Sequence, residues 1–351
     1  MNTVKKRYLL PEYRLFFPVL VVIFFIIFSG KPCNADWVTY NTENSELVHN
    51  NVYALAIDDS GNIWIGTEGG VSKFDGRTDW TTFTTANTAN GLANNSVWTI
   101  AIDTEGVVWI GTMGGGISRY AQDEDPQFKN FNMTTTGDGL PGDYIRAIAI
   151  STSNIRWAGT MDTGFSISEN IGAGFSWSSY TRYNCGIAHN NIYDIEIDDS
   201  GAKWFGLNGY GISVLTGNDP SAAGAWTTYT RSNTNQELAS DGIRSIEIDS
   251  SGNRWFGTDI KGVCVLDTTG NWTTYDLTNS GLSNNTVKQI KEDPVSGHIW
   301  IGTNGGGVCQ YDGNTWITFD QNNSDIPSNF VQAIAIDNKT GYRWFGTQEG
   351  L

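Results

Sequence analysis

The chain has 351 residues and a formal net charge of −16, with 41 Gly, 8 Pro, 4 Cys and 14 Trp. An acidic chain with 17% charged residues lacks the basic patch that a nucleic-acid binder needs. It also holds no block of like charge that would make a disordered interaction tail.

Residues 1–35 differ in kind from the rest. Lys5, Lys6, Arg7 and Arg14 form a basic start, and Leu15 to Phe28 is an apolar run of 14. Cys33 and Ala35 then sit at the −3 and −1 positions of a cut before Asp36. That is the layout of a secretory signal peptide. The run is short for a membrane span, which needs about 20 residues. An uncleaved N-terminal anchor is the alternative, and the chain is expected to meet a membrane only through this segment, if it is uncleaved. The folded domain is expected over 36–351.

From Asp36 onward the sequence repeats. Trp-Ile-Gly-Thr or a close relative starts at Trp64, Trp109, Trp157, Trp204, Trp255, Trp300 and Trp344, spaced by 45, 48, 47, 51, 45 and 44 residues. A second motif, Trp-x-x-aromatic, runs in step: Trp37 to Tyr40, Trp80 to Phe83, Trp177 to Tyr180, Trp226 to Tyr229, Trp272 to Tyr275 and Trp316 to Phe319. Phe128 to Phe131 is a degenerate copy, and of all 14 Trp only Trp98 lies outside both motifs. Trp repeated in register is read as the same apolar wedge needed by every repeat, rather than as a row of sugar-stacking platforms.

One repeat resolves into four strands. Val52 to Ile57 is continuously apolar, which suits a strand buried on both faces. The Asp58 to Asn62 turn follows, with Gly61 supplying positive φ. Ile63 to Gly66 is the second strand, and its Gly allows a close neighbour. Val71 to Phe74 is the third and Trp80 to Phe83 the outer strand. Strand-like repeats of this period make a β-propeller. The expectation is therefore an all-β, seven-bladed propeller of four-stranded antiparallel blades. Its last blade is incomplete, because two strands end at Gln348-Glu-Gly-Leu351, and Trp37 to Tyr40 closes it as the outer strand.

Crossovers such as Thr84 to Asn95 share one face, the upper one, with the turns between second and third strands. Before each inner strand lies an Asn or Asp: Asn50, Asn95, Asp143, Asn190, Asp241, Asn285 and Asn329. These are read as ties between a crossover and the neighbouring blade. Three residues further on, the chemistry is free: Tyr53, Trp98, Arg146, Tyr193, Arg244, Lys288 and Gln332. A position equivalent in place but free in chemistry is where a ring-shaped fold can encode specificity; packing variation between blades is the competing account. A second upper-face ring, in the turns, comprises Glu68, Met113, Asp162, Tyr210, Asp259, Lys261 and Asn304.

Cys264 and Cys309 occupy one slot in adjacent repeats, held elsewhere by Ser72 and Ser118, so the slot selects a small side chain. They and Cys185 are expected as thiols without a disulfide framework. No metal or cofactor is expected. Of the three His, His49 and His189 share a slot and His298 lies in a lower turn, an arrangement that does not converge for catalysis.

The pattern Asn-x-Val-x-x-Ile-x-x-Asp-x-x-Gly-x-x-Trp-Ile-Gly-Thr-x-x-Gly-Gly resembles the two-component regulator propeller repeat. Asn50 to Gly70 and Asn95 to Gly115 carry it, as does Asn285 to Gly306 with an extra residue at the turn. The third copy departs, with Ser151 at the turn Asp and Trp-Ala-Gly-Thr in the strand. The resemblance implies a periplasmic, secreted or surface propeller that senses an extracellular ligand, often a glycan or its breakdown product. In the family a signalling domain often lies downstream, and none is in this chain. The function expected is thus a non-catalytic, extracytoplasmic ligand-sensing or binding propeller whose partner is a small molecule or glycan fragment. The alternatives are a structural or adhesive surface module, or a propeller lyase of the streptogramin type.

Overall fold

A computed structural model describes residues 37–171 and 174–351. The leader expected over 1–35 lies outside the described residues.

Val52–Ile57, Ile63–Thr67, Val71–Phe74 and Trp80–Phe83 form one antiparallel sheet in chain order. Five more four-stranded sheets follow, with inner strands Val97–Ile102, Ile145–Ile150, Ile192–Ile197, Ile243–Ile248 and Val287–Glu292. Each inner strand lies beside the next, and Val331–Ile336 fills the gap between the sixth inner strand and the first. The strands thus circle a central channel.

The blade count differs from expectation. Six blades, not seven, have four strands; Val331–Ile336 and Arg343–Thr347 make a two-stranded sheet. The reason is the third strand. Val71–Phe74 bridges the second and fourth strands of blade one, and among the described residues no equivalent strand lies beside Arg343–Thr347. Trp37 to Tyr40 consequently forms no strand. It meets the chain end through one reciprocal pair of backbone bonds, Tyr40 with Leu351, both 2.9 Å. Aromatic packing holds it otherwise: Trp37 lies 5.7 Å from Phe319 and 5.6 Å from Phe345, and Tyr40 lies 5.1 Å from Phe74.

The repeated tetrapeptide owes its composition to this architecture. The second strands are buried throughout in blades one to four and in blade six. Trp64, Trp109 and Trp157 are fully buried, each contributing about 1.5–3 kcal/mol of hydrophobic stabilisation. The Gly is forced by the next blade: a Cβ on Gly66 would fall 2.7 Å from Val97, and one on Gly346 would fall 2.5 Å from Val52. The second of these contacts runs across the seam, so the two-stranded sheet packs against blade one as blades pack on each other. The Thr locks the following turn. Thr67 Oγ1 donates to Gly70 O at 2.9 Å, and Thr112, Thr160, Thr258, Thr303 and Thr347 repeat the bond.

All seven Asn/Asp residues before the inner strands are structural. Asn50 accepts from Thr42 N at 2.8 Å and Asn95 from Thr85 N at 2.8 Å, and the other five repeat the contact. The side chain therefore closes its own crossover. The neighbouring blade is reached by the backbone carbonyl instead, as when Gly116 N donates to Asp143 O at 2.9 Å.

Candidate functional site

The seven chemically free positions converge. Tyr53, Trp98, Arg146, Tyr193, Arg244, Lys288 and Gln332 all line one open cavity of about 440 Å³ at the channel mouth, together with Glu68, Met113 and Ser96. All seven also line a smaller cavity of about 150 Å³ directly below, which adds Asp194, Ser245 and Gln289. The convergence follows from the fold. An inner strand has a free edge on the channel, and its second residue stands at the upper end of that edge.

The ring has two unlike arcs. On one side, four consecutive blades stack cation against ring. The Arg146 guanidinium lies 5.0 Å from the Trp98 ring centroid and 4.2 Å from that of Tyr193, while Arg244 lies 4.9 Å from the same Tyr193 ring. Such contacts are worth about 0.5–2 kcal/mol each. On the other side the ring is an amide network centred on Asn51. Its Nδ2 donates to the Tyr53 hydroxyl at 2.7 Å and to Glu68 Oε2 at 3.0 Å, and its Oδ1 accepts from Gln332 Nε2 at 2.7 Å.

Three cations therefore share the mouth, and their surroundings act on them. Burial lowers the pKa of Arg146, an effect offset by Tyr193 and reinforced by Arg244. Burial, then Arg244 and Arg146, lower that of Lys288. Burial, then Glu68, raise the Tyr53 hydroxyl. Among the described residues, the ion pairs join Arg119, Lys129, Arg156, Arg254, Lys291 and Arg343 to carboxylates, and none involves Arg146, Arg244 or Lys288.

Deeper in the channel the charge reverses. Asp194 accepts from Ile195 N at 2.9 Å and from Ile246 N of the next blade at 2.7 Å, and burial pushes its carboxyl up to about 6. Glu196 is also raised, chiefly by burial. Lys291 donates to Glu247 Oε2 at 2.6 Å. Burial works against the charge on Lys291, but Glu247, Glu196 and Asp194 outweigh it and raise its pKa. This layer reads as inter-blade fastening, since Ser245 Oγ and Gln289 Oε1 likewise cap inner-strand N–H groups of the following blade.

The turn ring divides. Glu68 and Met113 reach the cavity, whereas Asp162, Tyr210, Asp259, Lys261 and Asn304 are not part of its lining. Tyr210 stacks on His189 at 3.9 Å, and Asp259 accepts from Ser240 Oγ at 2.7 Å, so two of the five are engaged locally. Ser96 and Asn51 were not singled out from the sequence. Their signal was available: both follow directly on the structural Asn, one step before the inner strand.

Chemistry that would need His finds none at the mouth. His49 and His189 accept from Asn51 N and Asn191 N through Nδ1, at 3.0 and 3.1 Å, and neither lines the cavity. Among the described residues no group of three or more His, Cys, Asp or Glu is placed to hold a metal ion.

Residues 46–69 and 91–114 match the family model described as Two component regulator propeller. These two segments are similar to the two component regulator propeller repeat. Similar solved structures include the extracellular domain of a protein from B. thetaiotaomicron described as a hybrid two component system, at 22% identity and a TM-score of 0.69. That likeness covers 86% of this chain and 39% of the other. PorZ, a bacterial surface component of the type-IX secretion system of Porphyromonas gingivalis, is 18% identical with a TM-score of 0.67, over 90% of this chain and 47% of that one. Virginiamycin B lyase from Staphylococcus aureus is 17% identical with a TM-score of 0.63, over 89% and 96%. At these identities the likeness establishes the propeller fold. Among curated proteins none matches. The chain spans 39% of the length of the first two solved structures it resembles. Across the blades the motif Trp residues fill the interior, and the residues free to vary are left at the mouth.

Proposed function

We propose that the domain is a non-catalytic, extracytoplasmic binding module that holds a small molecule or glycan fragment at the upper mouth of its channel. One observation carries this reading. Seven inner-strand positions, equivalent in the fold but unlike in chemistry, meet around a single cavity of about 440 Å³. A concave site with a few convergent polar groups and aromatic walls is the usual form of a ligand pocket. The two-component repeats favour a sensor role, with the bound state passed to a signalling domain outside this chain. A lyase reading is disfavoured by the positions of His49 and His189, whose imidazoles are engaged outside the cavity.

Calorimetric titration with a panel of glycan fragments tests this. Binding that is lost in Trp98→Ala, with folding intact, is the expected result. Binding unchanged in that variant and in Tyr193→Ala would count against the mouth, and release of a cleaved product would overturn the non-catalytic reading.

A further inference from the structure

The mouth carries a charge that the rest of the chain does not. The protein is strongly acidic, at −16 overall, yet Arg146, Arg244 and Lys288 from blades three, five and six face one cavity. Placing three like charges together costs free energy unless something compensates. The rim carboxylate Glu68 does not serve, since it is engaged by Asn51 on the opposite arc. Asp194 lies in the layer below, where both of its oxygens accept backbone N–H groups.

We infer that the mouth is an oxyanion site, selecting ligands that bear a carboxylate or sulfate group, which enters between Arg146, Arg244 and Lys288. This deepens the reading above and rests on it. Three features of the geometry support it. First, the Arg146 guanidinium sits between the Trp98 and Tyr193 rings, 5.0 and 4.2 Å from their centroids, which holds it in place at the mouth. A guanidinium held in place is pre-organised for pairing with an oxyanion. Second, Arg244 lies 4.9 Å from the same Tyr193 ring, so that ring meets a guanidinium from each neighbouring blade, and the buried Arg244 Nε has no hydrogen-bond partner. Third, the depressed pKa of Lys288, caused by burial and then by the two arginines, is what an anion would relieve.

The far arc suits the rest of such a ligand. Tyr53, Gln332 and Glu68 present a hydroxyl, an amide and a carboxylate held in place through Asn51, and these can bind the hydroxyls of a neutral ring. The cavity at about 440 Å³ holds one or two sugar-sized rings. The anionic end would then face the arginine arc and the polar body the amide arc.

The test is calorimetry at matched ionic strength with digalacturonate, a sulfated disaccharide and neutral cellobiose. Each is titrated into the intact domain and into Arg244→Met and Lys288→Met variants whose melting curves are checked. The inference expects at least one acidic probe to bind about tenfold or more tightly than cellobiose, since charge-assisted bonds are about twice as strong as neutral ones. It also expects that advantage to vanish in both variants and to shrink with added salt. The arm that binds distinguishes carboxylate from sulfate. Equal binding of cellobiose and the acidic probes, lost in Trp98→Ala, would overturn the oxyanion assignment while leaving the mouth as the site. Acidic-probe binding unchanged in Arg244→Met and Lys288→Met would overturn it too, as would the absence of binding by every acidic probe.

Discussion

The indole N–H of Trp109 donates to Asp103 Oδ2 at 3.0 Å, and that same oxygen pairs with Arg156 of the next blade at 3.2 Å. The Trp-to-Asp contact recurs within blades, from Trp64 to Asp58, Trp204 to Asp198 and Trp255 to Asp249. The cross-blade Arg recurs from Arg254 to Asp198 and from Arg343 to Asp293. One turn Asp thus fixes its own blade's wedge and can reach the neighbour as well. Blade six keeps only the cross-blade half, since Asp293 pairs with Arg343 while the buried Trp300 indole has no hydrogen-bond partner. Blade three lacks the turn Asp altogether. Ser151 holds the turn position, and the buried Trp157 indole has no hydrogen-bond partner. In the next blade Lys203, equivalent to those arginines, lies over the Trp157 ring at 4.9 Å and donates to Gly217 O instead.

Ser151→Asp should therefore stabilise the protein. It would supply the acceptor that Trp157 lacks, a change worth about 1–3 kcal/mol for a buried donor, and would place a carboxylate near Lys203. Chemical denaturation of the two proteins checks this at neutral pH. An unchanged or lower midpoint would show that the orphaned indole is not a local weakness.

The cysteine slot gives a second prediction. Cys264 Sγ accepts from Ala239 N at 3.2 Å and Cys309 Sγ from Ser283 N at 3.3 Å. Ser72, Ser118 and Ser213 do the same for Val48, Ala93 and Ala188. The slot wants a small acceptor for a crossover N–H. Cys264→Ser should leave stability within about 0.5 kcal/mol, whereas Cys264→Val strands the Ala239 N–H and should cost about 1–3 kcal/mol. Equal melting temperatures for the two variants would refute the acceptor role. Ser166 supplies the internal control, because the equivalent crossover residue is Pro141, which has no N–H. Its hydroxyl is buried without a partner, so Ser166→Ala should be neutral or stabilising.

These contacts mark what the sequence could and could not convey. The mouth ring was readable because strand register carries its geometry: the second residue of every inner strand must meet its counterparts. The turn ring was not, since a turn does not fix which side chain leans inward. Glu68 is drawn in by Asn51, while Tyr210 is held by His189. The blade count failed for a different reason. Seven Trp motifs count second strands, whereas a blade also needs third and outer strands, and the sheet holding the seventh motif has only two strands among the described residues. The slot shared by Ser and Cys was visible as a size preference, but the N–H it serves lies 24 to 26 residues away.

The channel floor gives a pH prediction whose sign runs against ordinary acid denaturation. Asp194 has its carboxyl raised by burial from 3.8 to about 6. A carboxyl that binds its proton more tightly when folded contributes stability in full below about 4, and that contribution is lost as pH rises through about 6. Glu196 acts in the same direction, Lys291 opposes both, and Glu247 adds to both. Asp194→Asn should accordingly be less harmful at pH 8 than at pH 4.5, with a difference of about 1–3 kcal/mol between the two conditions. Urea titrations at both pH values decide it. A penalty of equal size at each would mean that the Asp194 contribution lies in its two backbone hydrogen bonds and not in its ionisation.

The seam gives the last prediction. In blade six, Ile299–Thr303 is flanked by strands on both sides, whereas Arg343–Thr347 pairs only with Val331–Ile336 along its length and beyond that with Gly350. Its outer edge relies on Trp37, Tyr40 and Leu351 for cover. Tyr40 touches Phe74, Trp80 and Trp344, and Trp37 touches Phe319 and Phe345. Local opening should begin here, because few backbone bonds must break. Hydrogen exchange should thus be faster across 343–347 than across 299–303. Tyr40→Ala should widen that gap and lower global stability by about 2–4 kcal/mol, in the range for truncating a packed aromatic. Protection of 343–347 equal to that of 299–303 would mean that aromatic packing alone secures the edge without a third strand.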